Sequence, residues 1–307
     1  MKQIGLCILL LLAAFGTAHA ACRVTQQTAV PIAVAQGHVL VTVQVNDTPA
    51  TFILDTGAER TLMSEEAVRQ LGVARDSWVA STVLGIGGYE ERPNALPHSL
   101  RLGDVTLRRR TLIGDNSVTV GPLPIIAVAG HPIAGLLGRD FLSPFDLDLD
   151  LPAGRLTLYE VQGCSAGFLP WHEPYASIPA TTPVGAAMVI PLQIDGHPLR
   201  ALIDTGASSS LVAAPGIARL GLTPAILAQD PGGNGSGIGP APVFMRRHRF
   251  ASLSVGPDST RDPLLWVAPV RVVPIVDMLL GADWLRTRRM WLSFATKQVF
   301  IAMPRNG

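Results

Sequence analysis

Phe52-Ile53-Leu54-Asp55-Thr56-Gly57-Ala58 is matched further along the chain by Ala201-Leu202-Ile203-Asp204-Thr205-Gly206-Ala207. In each copy an apolar run of the kind that forms a buried strand stops on an aspartate, and Thr-Gly-Ala follows. Such a run draws the acidic group toward a desolvated place, and the glycine lets the backbone turn sharply beside it. The match extends outward. Val39, Val41, Val43 and Val45 alternate with Thr42 and Gln44, a polar turn follows at Asn46-Asp47-Thr48, and a second strand runs to Asp55. That is a hairpin signal. Met188, Ile190, Leu192 and Ile194, the turn Asp195-Gly196-His197 and the strand to Asp204 repeat it. The shift that carries Asp55 onto Asp204 also carries Gln44 onto Gln193, Pro49 onto Pro198 and Leu71-Gly72 onto Leu220-Gly221. A constant shift over that length marks an internal duplication.

A second pair of motifs closes each half. Leu136-Leu137-Gly138-Arg139-Asp140 stands in the first and Leu279-Leu280-Gly281-Ala282-Asp283 in the second, which is six residues shorter between its motifs. Alternating strands are expected after each, over 147–159 and 290–302. Ser64 is placed to cap a short helix through Gln70, with Gly72 as its stop. Glycine-rich tips follow at Gly85-Ile86-Gly87-Gly88 and within Gly232–Gly239, including Gly237 and Ile238. They lack a helix and a Lys-Ser/Thr behind them, so they are not phosphate loops. The stretch 162–185, rich in Pro and Gly, is expected to be an irregular linker. The expected organisation is a signal peptide over 1–20, one lobe over 21–161, the linker 162–185 and a second lobe over 186–307.

The chain has 307 residues, 48% of them hydrophobic, enough for two cored units. Charged residues make up 15% and the net charge is +1, so no nucleic-acid partner is indicated. Gly 30 and Pro 25 suit short strands joined by turns. Lys2, the apolar stretch Ile8 to Ala14 and the small-x-small site Ala18-His19-Ala20 read as a cleaved export signal, giving a periplasmic or secreted protein without a transmembrane segment. His19 stands where lipoprotein signals carry Leu, which disfavours acylation of Cys22. With Cys7 leaving in the signal, Cys22 and Cys164 remain. In an oxidising compartment they form either a bridge from the N-terminus to the linker or two separate buried thiols.

Two hydrophobic-hydrophobic-Asp-Thr-Gly-Ala stretches, glycine-rich tips and Leu-Leu-Gly-Arg-Asp resemble the retroviral-type (retropepsin-like) aspartic proteases, with both halves in one chain as in pepsin. The resemblance spans essentially the whole mature chain. It implies an all-β, two-lobed acid-protease fold, each lobe a retropepsin-like unit with one or two short helices, and a monomer, since duplication removes the need to dimerise. It also implies a catalytic pair, Asp55 and Asp204. Thr56 and Thr205 would hydrogen-bond across the lobe interface, and Gly57, Ala58, Gly206 and Ala207 would bring backbone N–H groups to the carboxylates. Gly85, Ile86, Gly87, Gly88, Gly237 and Ile238 would belong to flaps over a polypeptide substrate. The Leu-Leu-Gly segments would pack beneath the aspartate loops. Lobe one carries Glu59 and Arg139 where family members pair an acid with an arginine, and lobe two carries Ser208 and Ala282 there. Joint loss fits a structural pair, because one stranded buried charge is costly.

Close carboxylates cannot both ionise cheaply, so the pair holds one proton between them and hydrolyses a peptide through a water, without covalent intermediate, metal or cofactor. Ala58 and Ala207 stand where pepsin-like enzymes often place Ser. Without a hydroxyl bonding the carboxylate, a mildly acidic optimum is expected. Only about fifteen residues separate the expected cleavage site from the first strand, giving no expectation of a pro-segment. The mature histidines have no ligand spacing. The arginine clusters at 108–110, at 246, 247 and 249, and at 286, 288 and 289 are expected on solvated faces. The rival reading is a protease-like peptide-binding protein of the cell envelope that does not cleave. Intact Asp-Thr-Gly in both halves argues against it.

Overall fold

Each Asp-Thr-Gly stretch ends a β-hairpin whose turn chemistry sets its register. In a computed structural model, which describes residues 21–108, 117–165, 167–183, 185, 187–272 and 276–303, the strands His38–Val45 and Thr48–Leu54 pair antiparallel with Gln44 opposite Pro49. The strands Val189–Ile194 and His197–Ile203 pair likewise, with Gln193 opposite Pro198. Both turns have two residues in left-handed backbone, Asn46 and Asp47 (φ 49° and 62°) and Asp195 and Gly196 (φ 50° and 77°). That conformation matches the twist of the flanking strands, and Asn, Asp and Gly tolerate it best. Thr48 therefore opens the second strand instead of completing the turn.

The Leu-Leu-Gly motifs lie parallel to these hairpins. Gly135–Leu137 pairs with Phe52 to Leu54, and Met278–Leu280 with Ala201 to Ile203. Parallel strands buried on both faces read as continuous apolar runs, which is the sequence seen here. Beyond the hairpins the lobes continue in the same order, and Leu62–Met63 and Leu211–Val212 each add parallel to the next strand, Val118–Val120 and Leu264–Val267. Short helices follow at Glu65–Gln70, capped by the Ser64 side chain accepting from the Ala67 N–H, and at Arg139–Leu142, Ala214–Arg219, Pro224–Leu227 and Ala282–Leu285. The fold is all-β and two-lobed.

The lobes share a sheet of six antiparallel strands in the order Tyr175–Pro179, Gln298–Ala302, Arg289–Ser293, Asp146–Asp150, Arg155–Gln162 and Arg23–Ala35. Three expectations are corrected here. The first strand begins at Arg23, as Arg23–Ala35, and not about fifteen residues past the expected cleavage site. The runs 147–159 and 290–302 are each a hairpin, broken at 151–154 and at 294–297, where Lys297 adopts φ 54°. The linker contributes the strand Tyr175–Pro179 and packs Phe168, Leu169 and Trp171 against Trp291 and Phe300. Alternation alone carries no information on where a strand folds back, and an irregular segment acquires its cover role only from the aromatic face beneath it.

The shared sheet also buries charge. The Trp291 indole donates to Asp146 at 2.9 Å, the Trp171 indole donates to Asp148 at 3.1 Å, and Arg289 spans Asp148 (2.6 Å) and Glu173 (2.5 Å). Arg289 and Arg288, the latter 3.9 Å over the Trp284 ring, are thus structural and not merely solvated. Arg109 and Arg110 of the first cluster, and the expected signal over 1–20, lie outside the described residues. Cys22 and Cys164 are disulfide-bonded, which joins the start of the outermost strand to the linker.

Candidate active site

The two hairpins bring their terminal aspartates to the lobe interface, and the loops are tied crosswise. Thr56 N–H donates to Thr205 Oγ1 at 3.0 Å, and Thr205 N–H donates to Thr56 Oγ1 at 3.1 Å. Each hydroxyl then donates to the opposite lobe, Thr56 to the Ile203 carbonyl (2.8 Å) and Thr205 to the Leu54 carbonyl (2.6 Å). Both threonines are buried, so these bonds are shielded from water. From below, the Asp55 N–H donates to the Leu137 carbonyl at 2.9 Å and the Asp204 N–H to the Leu280 carbonyl at 3.0 Å.

The carboxyls face each other. A Cβ placed on Gly57 would sit 2.3 Å from Asp204 Cγ, and one on Gly206 would sit 2.2 Å from Asp55 Cγ. Only glycine permits that approach. Gly57 and Ala58 N–H groups donate to one Asp55 oxygen at 3.0 and 2.8 Å, and Gly206 and Ala207 N–H groups donate to Asp204 at 3.0 Å each. These donors favour ionisation, but burial opposes it more strongly. Burial raises the Asp55 pKa, against the Ala58 and Gly57 N–H groups, Arg139 and the hydrogen bond with Asp204. Burial and then the Asp55 charge push Asp204 up to about 8. The pair thus retains a proton over a wide pH range and titrates as a unit.

The acid that ends Leu-Leu-Gly-x-Asp has a role that the sequence reading missed. Asp140 accepts from the Thr61 hydroxyl at 2.7 Å and from its N–H, and that hydroxyl in turn accepts from Gly138 N–H at 2.9 Å. Asp283, Ser210 and Gly281 repeat this at 2.7 and 3.0 Å. The signal was present, since Thr61 and Ser210 obey the duplication shift and both carry a hydroxyl. Arg139, only 3% exposed, donates to the carbonyls of Gly185 (2.6 Å), Gly57 (3.3 Å) and Ala58 (3.3 Å). Burial lowers its pKa and the Glu59 carboxylate, ahead of the other acids, raises it. Its attachment to the loop is therefore through backbone carbonyls, with Glu59 supplying field.

Above the pair lies a cleft of about 680 Å³. Its walls are apolar, Ile53, Leu62, Leu136 and Ile125 from lobe one and Leu202, Leu211, Leu279, Met245 and Trp266 from lobe two. Leu136 and Leu279, expected only to pack beneath the loops, thus also line it. Its roof is two hairpin tips. The first is formed by Ala74–Gly85 and Gly88–Leu96, the shorter second by Gly232–Gly235 and Val243–Arg249. Gly85, Ile86, Gly237 and Ile238 line the cleft, whereas Gly87 and Gly88 do not. The tips meet, with Gly87 N–H donating to the Ile238 carbonyl at 3.0 Å. Each tip isoleucine packs on an apolar cluster of the other lobe, Ile86 on the one that contains Leu202 and Leu211, Ile238 on the one that contains Ile53 and Leu62. No group of three or more potential metal ligands occurs among the described residues.

Sequence comparison divides the chain at the same place. The family described as aspartyl protease matches residues 41–141, and the family of gag-polyprotein putative aspartyl proteases matches residues 190–287. The chain is a retropepsin-like aspartic protease duplicated in one polypeptide. Among solved structures, the duplicated protease is similar in fold to the aspartic proteinase from Irpex lacteus, at 13% identity and TM-score 0.51 over 91% of this chain and 97% of that one. Basic 7S globulin from soybean aligns at 10% identity and TM-score 0.47 over 91% and 95%. No curated protein matches the duplicated protease. No helix among its described residues is long and apolar enough to cross a membrane.

Proposed function

We propose that this protein is an exported endopeptidase that cleaves polypeptides by a water activated between Asp55 and Asp204. The observation that carries this reading is the pair itself, two buried carboxyls sharing a hydrogen bond on the floor of an apolar cleft roofed by two tips. The ionised member takes a proton from water while the protonated member donates to the scissile carbonyl oxygen, so attack and carbonyl activation are concerted without a covalent intermediate. Neither acid has a fixed role, because the proton belongs to the pair. The apolar walls favour hydrophobic side chains flanking the cut, and the meeting tips must part to admit substrate and then exclude water.

Supporting export, the Cys22–Cys164 bridge belongs to an oxidising compartment, and the expected signal over 1–20 would deliver the chain to one. A single chain supplying both aspartates supports action as a monomer. Purified protein incubated with an unfolded polypeptide should cleave it, and a pepstatin-like inhibitor should stop it. Asp55→Asn and Asp204→Asn should each lower kcat/KM by roughly 10³-fold or more with the fold intact by circular dichroism. Full turnover in either variant removes that residue from the mechanism.

A further inference from the structure

The strand Val243–Arg249 of the second tip carries three arginines, and one of them turns to the cleft side. Val243 and Met245 join the apolar cluster on the lobe-two wall together with Trp266, and Arg247 is the next residue on that face. The strand pairs antiparallel with Leu264–Val267, Arg247 opposite Trp266, so the two side chains stand side by side. The Arg247 guanidinium lies 5.6 Å from the centroid of the Trp266 ring, and Trp266 and Met245 line the cleft. Its neighbours are spoken for. Arg246, on the other face, donates to the Asp230 carbonyl at 2.8 Å and lies over Phe244, and Arg249 donates to the Asp262 carbonyl at 3.2 Å. Among the described residues the exposed Arg247 guanidinium makes no hydrogen bond and no ion pair, and its contact is the indole. Lobe one lacks this arrangement. Leu62 is opposite Thr119 as Leu211 is opposite Trp266, and Asn94 is opposite Thr119 as Arg247 is opposite Trp266. Asn94 and Thr119 therefore hold the corresponding places, and both are wholly buried.

We propose that Arg247, held over Trp266 at the rim of the cleft, is a specificity-determining residue that takes an acidic side chain of the polypeptide substrate. This deepens the endopeptidase reading above and rests on it. Stacking on the indole covers the apolar stem and one face of the guanidinium and leaves its N–H edge free to donate. A planar fork held in this way loses little freedom when a carboxylate docks on two of its hydrogens, and a charge-assisted pair of that kind is stronger than a neutral hydrogen bond. Arg246 and Arg249 on the same strand add positive field. The apolar walls then receive the side chains next to the cut, and Arg247 reads a residue farther along the substrate on one side of it. Because lobe one buries the matching places, the demand for an acid falls on one side of the scissile bond.

The first readout needs no cleavage. Peptides with an apolar centre, blocked ends and a neutral dye, carrying a single glutamate walked from position to position, are titrated into the full-length Asp204→Asn protein and followed by fluorescence anisotropy. At one position on one side of the centre, glutamate should bind about tenfold more tightly than glutamine, the scale of a charge-assisted hydrogen bond, and less so as salt is raised. In the Arg247→Ala background the ratio should fall to within about twofold of unity, and Arg247→Glu should prefer lysine at that same position. A glutamate preference at no position, or equally at every position, overturns the proposal. So does a preference that survives Arg247→Ala, which would belong to Arg60 or Arg139 in the cleft. If the wild type fails to cleave an unfolded polypeptide, the endopeptidase reading falls and the binding ratio still decides for or against Arg247. Given cleavage, mass spectrometry of the cut sites should show Asp and Glu enriched at that one position, an enrichment that Arg247→Ala removes; its persistence in the variant also overturns the assignment.

Discussion

Asp55 and Asp204 are held against their own solvation preference, and this has a consequence for stability as well as chemistry. A carboxyl whose pKa is raised on folding stabilises the native state fully below its unfolded pKa, near 4, and that contribution is lost as pH rises through its folded value. For Asp204, raised to about 8, the loss runs from about pH 4 to pH 8. Urea unfolding should therefore find the wild type losing a few kcal/mol relative to Asp204→Asn over that interval, with the amide variant the more stable at pH 8. An unchanged difference between the two proteins at pH 4 and pH 8 would contradict the raised pKa. The same shift keeps one proton in the pair toward neutrality. Cleavage should accordingly persist at pH 6 and fall as pH approaches 8, read from kcat/KM against pH, in contrast to an enzyme confined to strong acid.

At the scale of elements, the tips differ in length yet meet through backbone. A Cβ on Gly85 would lie 2.2 Å from the Ile238 carbonyl oxygen, which cannot yield as a side-chain end can. Gly85→Val should splay the tips apart and raise KM by about tenfold or more while leaving thermal stability nearly unchanged, because the tips lie outside the lobe cores. Steady-state kinetics beside a melting curve separates the two effects. The Thr61–Asp140 and Ser210–Asp283 bonds act differently. They fix the short helices to the strands next to the aspartate loops, so Asp140→Ala should cost about 1–3 kcal/mol in urea unfolding by stranding the Thr61 hydroxyl and N–H.

At the scale of the whole molecule, the six-stranded sheet makes two lobes into one rigid frame for the pair. Its outer strands come from residues at the chain start and in the linker, and the Cys22–Cys164 bridge closes that frame across 142 residues. In the chain-entropy model, a loop of that length contributes about 4–5 kcal/mol by constraining the unfolded chain. Replacing both cysteines by serine should lower stability by up to that amount in guanidinium unfolding, and a loss under about 1 kcal/mol would show that the unfolded chain is already compact.

The sequence by itself determined the duplication, the two hairpins, the paired aspartates and the cap at Ser64, because each is written in local turn chemistry or in a repeat at constant shift. Only the tertiary structure decided that the N-terminal segment and part of the linker are strands, that Arg139 binds backbone carbonyls, and that the two tips converge over the pair. Those facts rest on partners distant along the chain. A strand lacking strong alternation takes its role from whatever surface folding brings to it.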